Sequence, residues 1–160
     1  GPIGFFAMTE LRRRWPAARL VVTEPNPARR EHAAHLGCES TATLPGETFD
    51  LVVDAAGYRT SLTDALDVTR RGGTILLLAL GHNHVEILPS DIVERGLMLV
   101  GNVGFDTTDL DSALALLSRD VELYRKVVTH VVPLEDLPEF LNSAEFETSS
   151  KVLVDCGGAR

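Results

Sequence analysis

Phe49-Asp50-Leu51-Val52-Val53-Asp54 sets three consecutive apolar side chains at the centre of a short run. Uninterrupted apolar character over so few residues predicts a strand buried on both faces, because a half-exposed strand alternates apolar with polar positions. Working outward, the pattern recurs upstream at Arg19 to Thr23, with Leu20-Val21-Val22 at its core, and downstream at Thr74 to Leu80, ended by Gly81, and at Leu97 to Val100. Helical segments are predicted between these runs: Pro27 to Leu36, closed by Gly37, Ser61 to Thr69, ended by Gly72 and Gly73, and Pro89 to Glu94. Leu110 to Leu117 reads as a further amphipathic helix. Ahead of them all, Phe5, Met8, Leu11 and Trp15 recur at the helical period until Pro16 stops the run. Apolar strands alternating with helices specify an α/β fold, a doubly wound parallel sheet with right-handed crossovers.

The pattern changes character after Arg119. Lys126 to Val132 and Lys151 to Asp155 read as strands with a helix from Leu134 to Leu141 between them. They follow a longer gap and need not join the first sheet, so the chain divides into residues 1–125 and a segment 126–160. No internal repeat or low-complexity tract is present.

The chain has 160 residues, 15 Lys and Arg against 23 Asp and Glu, a formal charge of −8, and 44% hydrophobic residues. That length suits one domain with a sizeable core, and the hydrophobic share excludes disorder throughout. An acidic chain lacks the basic face that displaces phosphate counterions, so no nucleic-acid partner is expected. The longest apolar runs fall far short of the roughly 20 residues that cross a bilayer, so no membrane partner is expected either. No secretory signal is read, and Cys38 and Cys156 form no metal-binding spacing, which together suggest a cytoplasmic location.

The chemistry is concentrated at the start. Gly1-Pro2-Ile3-Gly4 stands directly before a helix and matches the last four positions of a GxGxxG dinucleotide fingerprint. In that fingerprint a glycine lets backbone approach a pyrophosphate, a later one lets the helix pack on the sheet, and the helix N-terminus presents free N–H groups to the anion. Glu24, 20 residues after Gly4, ends a predicted strand at the spacing where an acid accepts the adenosine ribose hydroxyls. A carboxylate there repels a 2′-phosphate, which favours NAD over NADP.

With these residues in place, the chain resembles the medium-chain dehydrogenase/reductase family, in particular the zinc-type alcohol and polyol dehydrogenases. The resemblance is carried by Gly1-Pro2-Ile3-Gly4, by Glu24 to Arg30, by Phe49 to Gly57, by Arg71-Gly72-Gly73-Thr74 and by Arg95-Gly96-Leu97. Pro133 to Pro138 and Lys151-Val152-Leu153-Val154 continue it, in order and over almost the whole chain. It implies a Rossmann-type domain over residues 1–125 and, in 126–160, a segment that returns to a catalytic domain. It also implies a nicotinamide cofactor and a small alcohol or polyol substrate. Gly1, Pro2, Ile3 and Gly4 would face the pyrophosphate, Glu24 and Arg29 would hold the ribose, and Ala55 and Ala56 would line the groove. Leu78, Ala79 and Leu80 would lie on one side of the nicotinamide, Val100, Gly101 and Asn102 on the other, and Lys151 would reach a phosphate.

The family's N-terminal GroES-like domain, which supplies the zinc ligands, has no counterpart in this sequence. His82 and His84 flank Asn83 without a third ligand at a recognisable spacing, so no metal is assigned to these residues and zinc would come only through the other domain. His130 is read as structural, and Ser61 and Ser90 as helix caps. The first sheet strand, which sits between the second and fourth in the order 3-2-1-4-5-6, is absent as well. With strands about 4.8 Å apart, its absence opens a gap of roughly 10 Å. A preceding segment, a strand from another chain, or direct pairing of Leu20–Val22 with Leu51–Val53 would close it. Exposed edges of this kind suggest a homo-oligomer paired through sheet edges. Two functions follow: the cofactor-binding part of an NAD-dependent dehydrogenase, inactive when isolated, or a non-catalytic relative that acts as a binding module. A zinc-free reductase using NADPH is a weaker third, because Glu24 stands where such enzymes carry small or basic residues.

Overall fold

Pro2 has no amide hydrogen to lose at the first turn of a helix, and α1 (Pro2–Arg14) starts on it, with Gly1 as its N-cap. The computed structural model describes residues 1–157, so 158–160 of the C-terminal segment lie outside the described residues. After α1 the chain forms β1 (Val21–Thr23), α2 (Pro27–His35) and β2 (Glu39–Thr41). The Asn26 side chain caps α2 by accepting from the N–H groups of Ala28 and Arg29. β1 and β2 pair in parallel, Val21 opposite Glu39. Next come β3 (Phe49–Asp54), α3 (Ser61–Val68), β4 (Thr69–Leu77), α4 (Pro89–Arg95) and β5 (Met98–Gly101). These strands form a second parallel sheet in the order β3-β4-β5.

The two sheets are the two flanks of the expected doubly wound order, with no hydrogen-bonded strand between β1 and β3 among the described residues. The partner of β1 is β2 and that of β3 is β4, so direct pairing of Leu20–Val22 with Leu51–Val53 does not occur.

The core lies where α3 covers the second sheet. Ala65, Leu66, Ile75 and Leu97 are buried there, with Val52, Leu62, Leu77, Ile87, Ile92 and Leu99 packed around them. Ile75, on the central strand, is fully enclosed. The flanking strands differ from the expectation of burial on both faces: Leu51 is 37% exposed on β3 and Val100 is 44% exposed on β5. Continuous apolar character gives burial only where a neighbour covers it. One edge of β3 is unpaired, and α5 (Thr107–Arg119), the helix after β5, buries none of its residues.

β4 begins five residues earlier than expected. Phe49 is opposite Thr69 while Leu51 is opposite Thr74, so Thr69–Gly73 enters the strand through a bulge. Gly73 is required there, because a Cβ would stand 2.6 Å from the Thr69 methyl and 3.1 Å from the Asp50 carbonyl oxygen. The strand also ends earlier, at Leu77, leaving Leu78–Leu80 in the following loop.

The remainder comprises α6 (Val121–Arg125), β6 (Val128–Pro133), a 3-10 turn (Leu134–Asp136), α7 (Leu137–Phe140), α8 (Ala144–Thr148) and β7 (Lys151–Asp155). β6 and β7 pair in parallel as a third sheet. Phe6 of α1 stacks on Tyr124 of α6 with ring centres 5.9 Å apart. The Arg29 guanidinium on α2 donates to the carbonyl oxygens of Glu147 and Ser149, at 3.0 and 2.9 Å.

Candidate functional site

The first turn of α1 bridges the carboxyl ends of the two main sheets. The Gly1 nitrogen, here the terminal ammonium, lies 3.5 Å from Glu24 Oε2, just past β1, and a Cβ on Gly4 would meet the Ala55 methyl, just past β3, at 3.8 Å. That first turn holds no acidic residue, while Arg12, Arg13 and Arg14 occupy the last turn. The basic end complements the helix dipole, and the positive end has no carboxylate of its own helix to neutralise it. Gly4 is less constrained than the fingerprint implies, since 3.8 Å is ordinary van der Waals contact.

Glu24 is anchored from both sides. Its own N–H donates to the Thr41 carbonyl of β2 at 3.0 Å. Its Oε1 accepts the Asn26 N–H at 3.0 Å, leaving Oε2 turned toward Gly1. The side chain is 19% exposed, within reach of a ligand but steadied by its surroundings.

Asp54, the last residue of β3, organises the next part of the rim. Its Oδ1 accepts the N–H groups of Ala56 and Gly57 at 2.9 and 3.0 Å, and the Ser61 hydroxyl lies 2.7 Å from Oδ2. The Asp54 carbonyl accepts from the N–H groups of Leu78 and Ala79 at 2.9 and 3.2 Å. One strand further, Asn102 N–H donates to the Leu77 carbonyl at 3.2 Å. The loops after β3, β4 and β5 are thereby laced to one another along the carboxyl ends of the strands, where open α/β sheets bind ligands.

The structure therefore brings Gly1, Pro2, Ile3, Gly4, Glu24 and Ala55 together, with Ala56, Leu78, Ala79, Leu80, Val100, Gly101 and Asn102 continuing the same rim. Arg29 stands on the first turn of α2, its N–H held by the Asn26 side chain and the Asn26 N–H by Glu24. Its Nε and Nη2 donate to main-chain carbonyls of the C-terminal segment, and Lys151 is exposed at the start of β7. Sequence reasoning passed over Asp54 and its partner Ser61. The available signal was an acid closing a strand before Ala-Ala-Gly, the setting in which a carboxylate accepts N–H groups two and three residues ahead. Ser61 is not the cap expected of it: Thr60 occupies that position, and the Ser61 hydroxyl turns to Asp54. Ser90 is likewise inside α4, behind Leu88, and no side chain caps that helix among the described residues.

Among the described residues no three His, Cys, Asp or Glu side chains gather in a set able to hold a metal ion. His82 and His84 are exposed in the loop after β4.

Residues 2–119 match the model of the family described as zinc-binding dehydrogenase. The chain belongs to this family. A sorbitol dehydrogenase from Bombyx mori is 30% identical over 126 residues, covering 79% of this chain and 36% of the relative. A D-altritol 5-dehydrogenase from Agrobacterium fabrum is 29% identical over 162 residues, covering 95% of this chain and 47% of that enzyme. The chain thus spans about half the length, or less, of the curated relatives it matches. In fold it is similar to an alcohol dehydrogenase from Escherichia coli CFT073 solved with NADH, with a TM-score of 0.80 at 18% identity over 96% of this chain and 49% of that one. It is equally similar to Staphylococcus aureus TarJ solved with NADPH, with a TM-score of 0.80 at 20% identity over 97% of this chain and 53% of that one. These likenesses give the chain a Rossmann-type fold. No described helix is long and apolar enough to cross a membrane.

Proposed function

We propose that this chain is the cofactor-binding portion of an NAD-dependent dehydrogenase that moves a hydride between a nicotinamide and a small alcohol, polyol or ketone. The observation that carries the reading is the placement of the first turn of α1 at the carboxyl ends of the strands, where Gly4 packs toward Ala55 just past β3 and Glu24 stands just past β1. It sets a helix start suited to a phosphate beside a carboxylate suited to ribose hydroxyls. The glycines at positions 1 and 4 suit the cofactor, because a backbone without a side chain can be approached closely there.

When bound, the nicotinamide supplies the hydride chemistry. This chain's residues do the positioning. N–H groups of the first turn of α1 donate to phosphate oxygens, Glu24 accepts from the ribose, and the small side chains of Ala55 and Ala56 leave the groove open. Leu78, Ala79 and Leu80 on one side, with Val100, Gly101 and Asn102 on the other, exclude water from the nicotinamide. Arg29 acts at one remove, holding residues 147–149 beside α2, with the charge of Lys151 two residues further along.

The preference for NAD rests on Glu24. Like charges a few ångströms apart repel, so a carboxylate at the ribose disfavours the 2′-phosphate of NADP. Residues 126–160 belong, on this reading, with the domain that binds substrate and zinc. The described residues do not make a zinc site, and no step of the mechanism is assigned to zinc here. The chain alone is expected to oxidise no alcohol. The free thiols of Cys38 and Cys156 accord with a reducing cytoplasm.

Titration of the full-length protein with NADH and NADPH, followed by nicotinamide fluorescence, tests the assignment. NADH is expected to bind at least about tenfold more tightly, and Glu24→Ala to lose most of that preference. Affinity and selectivity unchanged in Glu24→Ala would overturn the role given to this carboxylate.

A further inference from the structure

We propose that Asp54 is a positioning residue for the nicotinamide half of the cofactor, an inference that rests on the cofactor reading above. Asp54 keeps only 9% of its surface exposed. A buried carboxylate is tolerated when hydrogen bonds replace its water, and here they come from the loop after β3 and from the start of α3. Oδ1 draws in the Ala56 and Gly57 N–H groups, which turns the chain sharply at the end of β3. Oδ2 lies 2.7 Å from the Ser61 hydroxyl, whose one proton is shared with the Tyr58 carbonyl at 2.9 Å. The carbonyl of the same residue accepts from Leu78 and Ala79. Asp54 therefore sets the loop after β3 through its side chain and the loop after β4 through its main chain.

The two loops also touch without slack. A Cβ on Gly57 would stand 2.9 Å from the Ala79 methyl, and one on Gly81 would stand 2.9 Å from the Gly57 carbonyl oxygen. The loops pack with no room for a side chain between them, so movement of Ala55–Gly57 bears on Ala79–Gly81. Ala55, Ala56, Leu78, Ala79 and Leu80 thus form one wall whose shape depends on the Asp54 carboxylate. Glu24 and the first turn of α1 make no hydrogen bond to Asp54 among the described residues, and Gly4 approaches this wall at Ala55. Loss of the carboxylate should disturb the nicotinamide end and spare the adenosine end.

The test measures NADH and AMP affinities on the full-length protein, AMP probing the adenosine end alone. Asp54→Ala is expected to weaken NADH binding about tenfold while AMP affinity stays within about twofold. Asp54→Asn retains an acceptor for Ala56 and Gly57 and can donate to the Ser61 oxygen, so it is expected to recover most of the NADH affinity. Unchanged NADH affinity in Asp54→Ala, or equal losses for NADH and AMP, would overturn the proposal, the second result marking a general structural role. If Asp54→Ala does not fold, Ser61→Ala serves instead. It removes one bond and is expected to weaken NADH about threefold with AMP unaltered, and an NADH affinity equal to wild type overturns the proposal. A wild-type protein that binds neither ligand overturns the cofactor reading and this inference with it. Normal wild-type binding with an indifferent Asp54→Ala overturns this inference alone.

Discussion

Gly57 takes φ +65° at the point where its would-be Cβ stands 2.9 Å from the Ala79 methyl. Gly4, the residue that the fingerprint places against the sheet, has room for a methyl group at 3.8 Å from Ala55. The two glycines therefore respond differently to the same change. Gly57→Ala combines left-handed strain with a clash and is expected to cost about 2 kcal/mol, a fall in Tm of about 4–8 °C for a chain of this size. Gly4→Ala is expected to stay within about 2 °C of the parent, since a Cβ in ordinary contact costs little and alanine favours helix. Thermal melts of the two variants check the contrast, and equal destabilisation would contradict the packing described for both. The place of Glu24 just past β1 was legible in the sequence because it depends on local spacing, a strand end 20 residues past Gly4. The bonds of Arg29 were not legible, because the carbonyls it meets lie 118 and 120 residues away. Nothing near Arg29 in the sequence announces them.

Helix α1 joins the candidate site at its start to an ion-pair cluster at its end. Glu10 receives the Arg13 guanidinium at 2.8 and 2.7 Å and Arg14 Nε at 2.5 Å. Hydrogen bonds from Arg13, then Arg14, outweigh partial burial and hold the Glu10 carboxyl at about 2, below its ordinary 4.5. A depressed folded value stabilises the helix fully above pH 4.5, and the contribution is lost as pH falls from there through about 2. Melts of wild type and Glu10→Gln should therefore differ by about 1–2 °C above pH 5 and converge toward pH 2. A constant difference would show that the cluster does not act through the charge of Glu10. Legibility among the elements follows the same division between local and distant causes. β3 occupies Phe49–Asp54 as read, because its apolar run is continuous. The end of α4 is marked by Gly96 in the left-handed conformation. β2, Glu39–Thr41, carries no apolar residue and exists because β1 offers an edge, so no periodicity could reveal it. α6 and α8 are five residues each, too short for a helical period, and start on the single caps Asp120 and Ser143.

At the scale of the molecule, three small parallel sheets replace one wide sheet, and the interval between β1 and β3 governs what the chain can do alone. β1 offers only three residues to β2, and β3 pairs with β4 alone among the described residues, which leaves its other edge unpaired. Unpaired strand edges leave N–H and C=O groups available to any other strand, so the 160-residue chain is expected to self-associate as concentration rises. Gly1 stands at the carboxyl end of that interval, against Glu24 past β1, and Gly4 stands against Ala55 past β3. A strand fused directly ahead of Gly1 would enter the interval in parallel with both neighbours and pair with each. About five alternately β-branched residues are enough for one strand. The fused chain should show slower amide exchange in β1 and β3 and a higher Tm, with less association in light scattering. A control fusion of equal length containing two prolines cannot complete the ladder and should behave like the parent. If both fusions leave exchange in β1 and β3 unaltered, the two edges are not complementary faces of one interval. The Glu24 to Gly1 approach would then owe nothing to a continuous sheet beneath it.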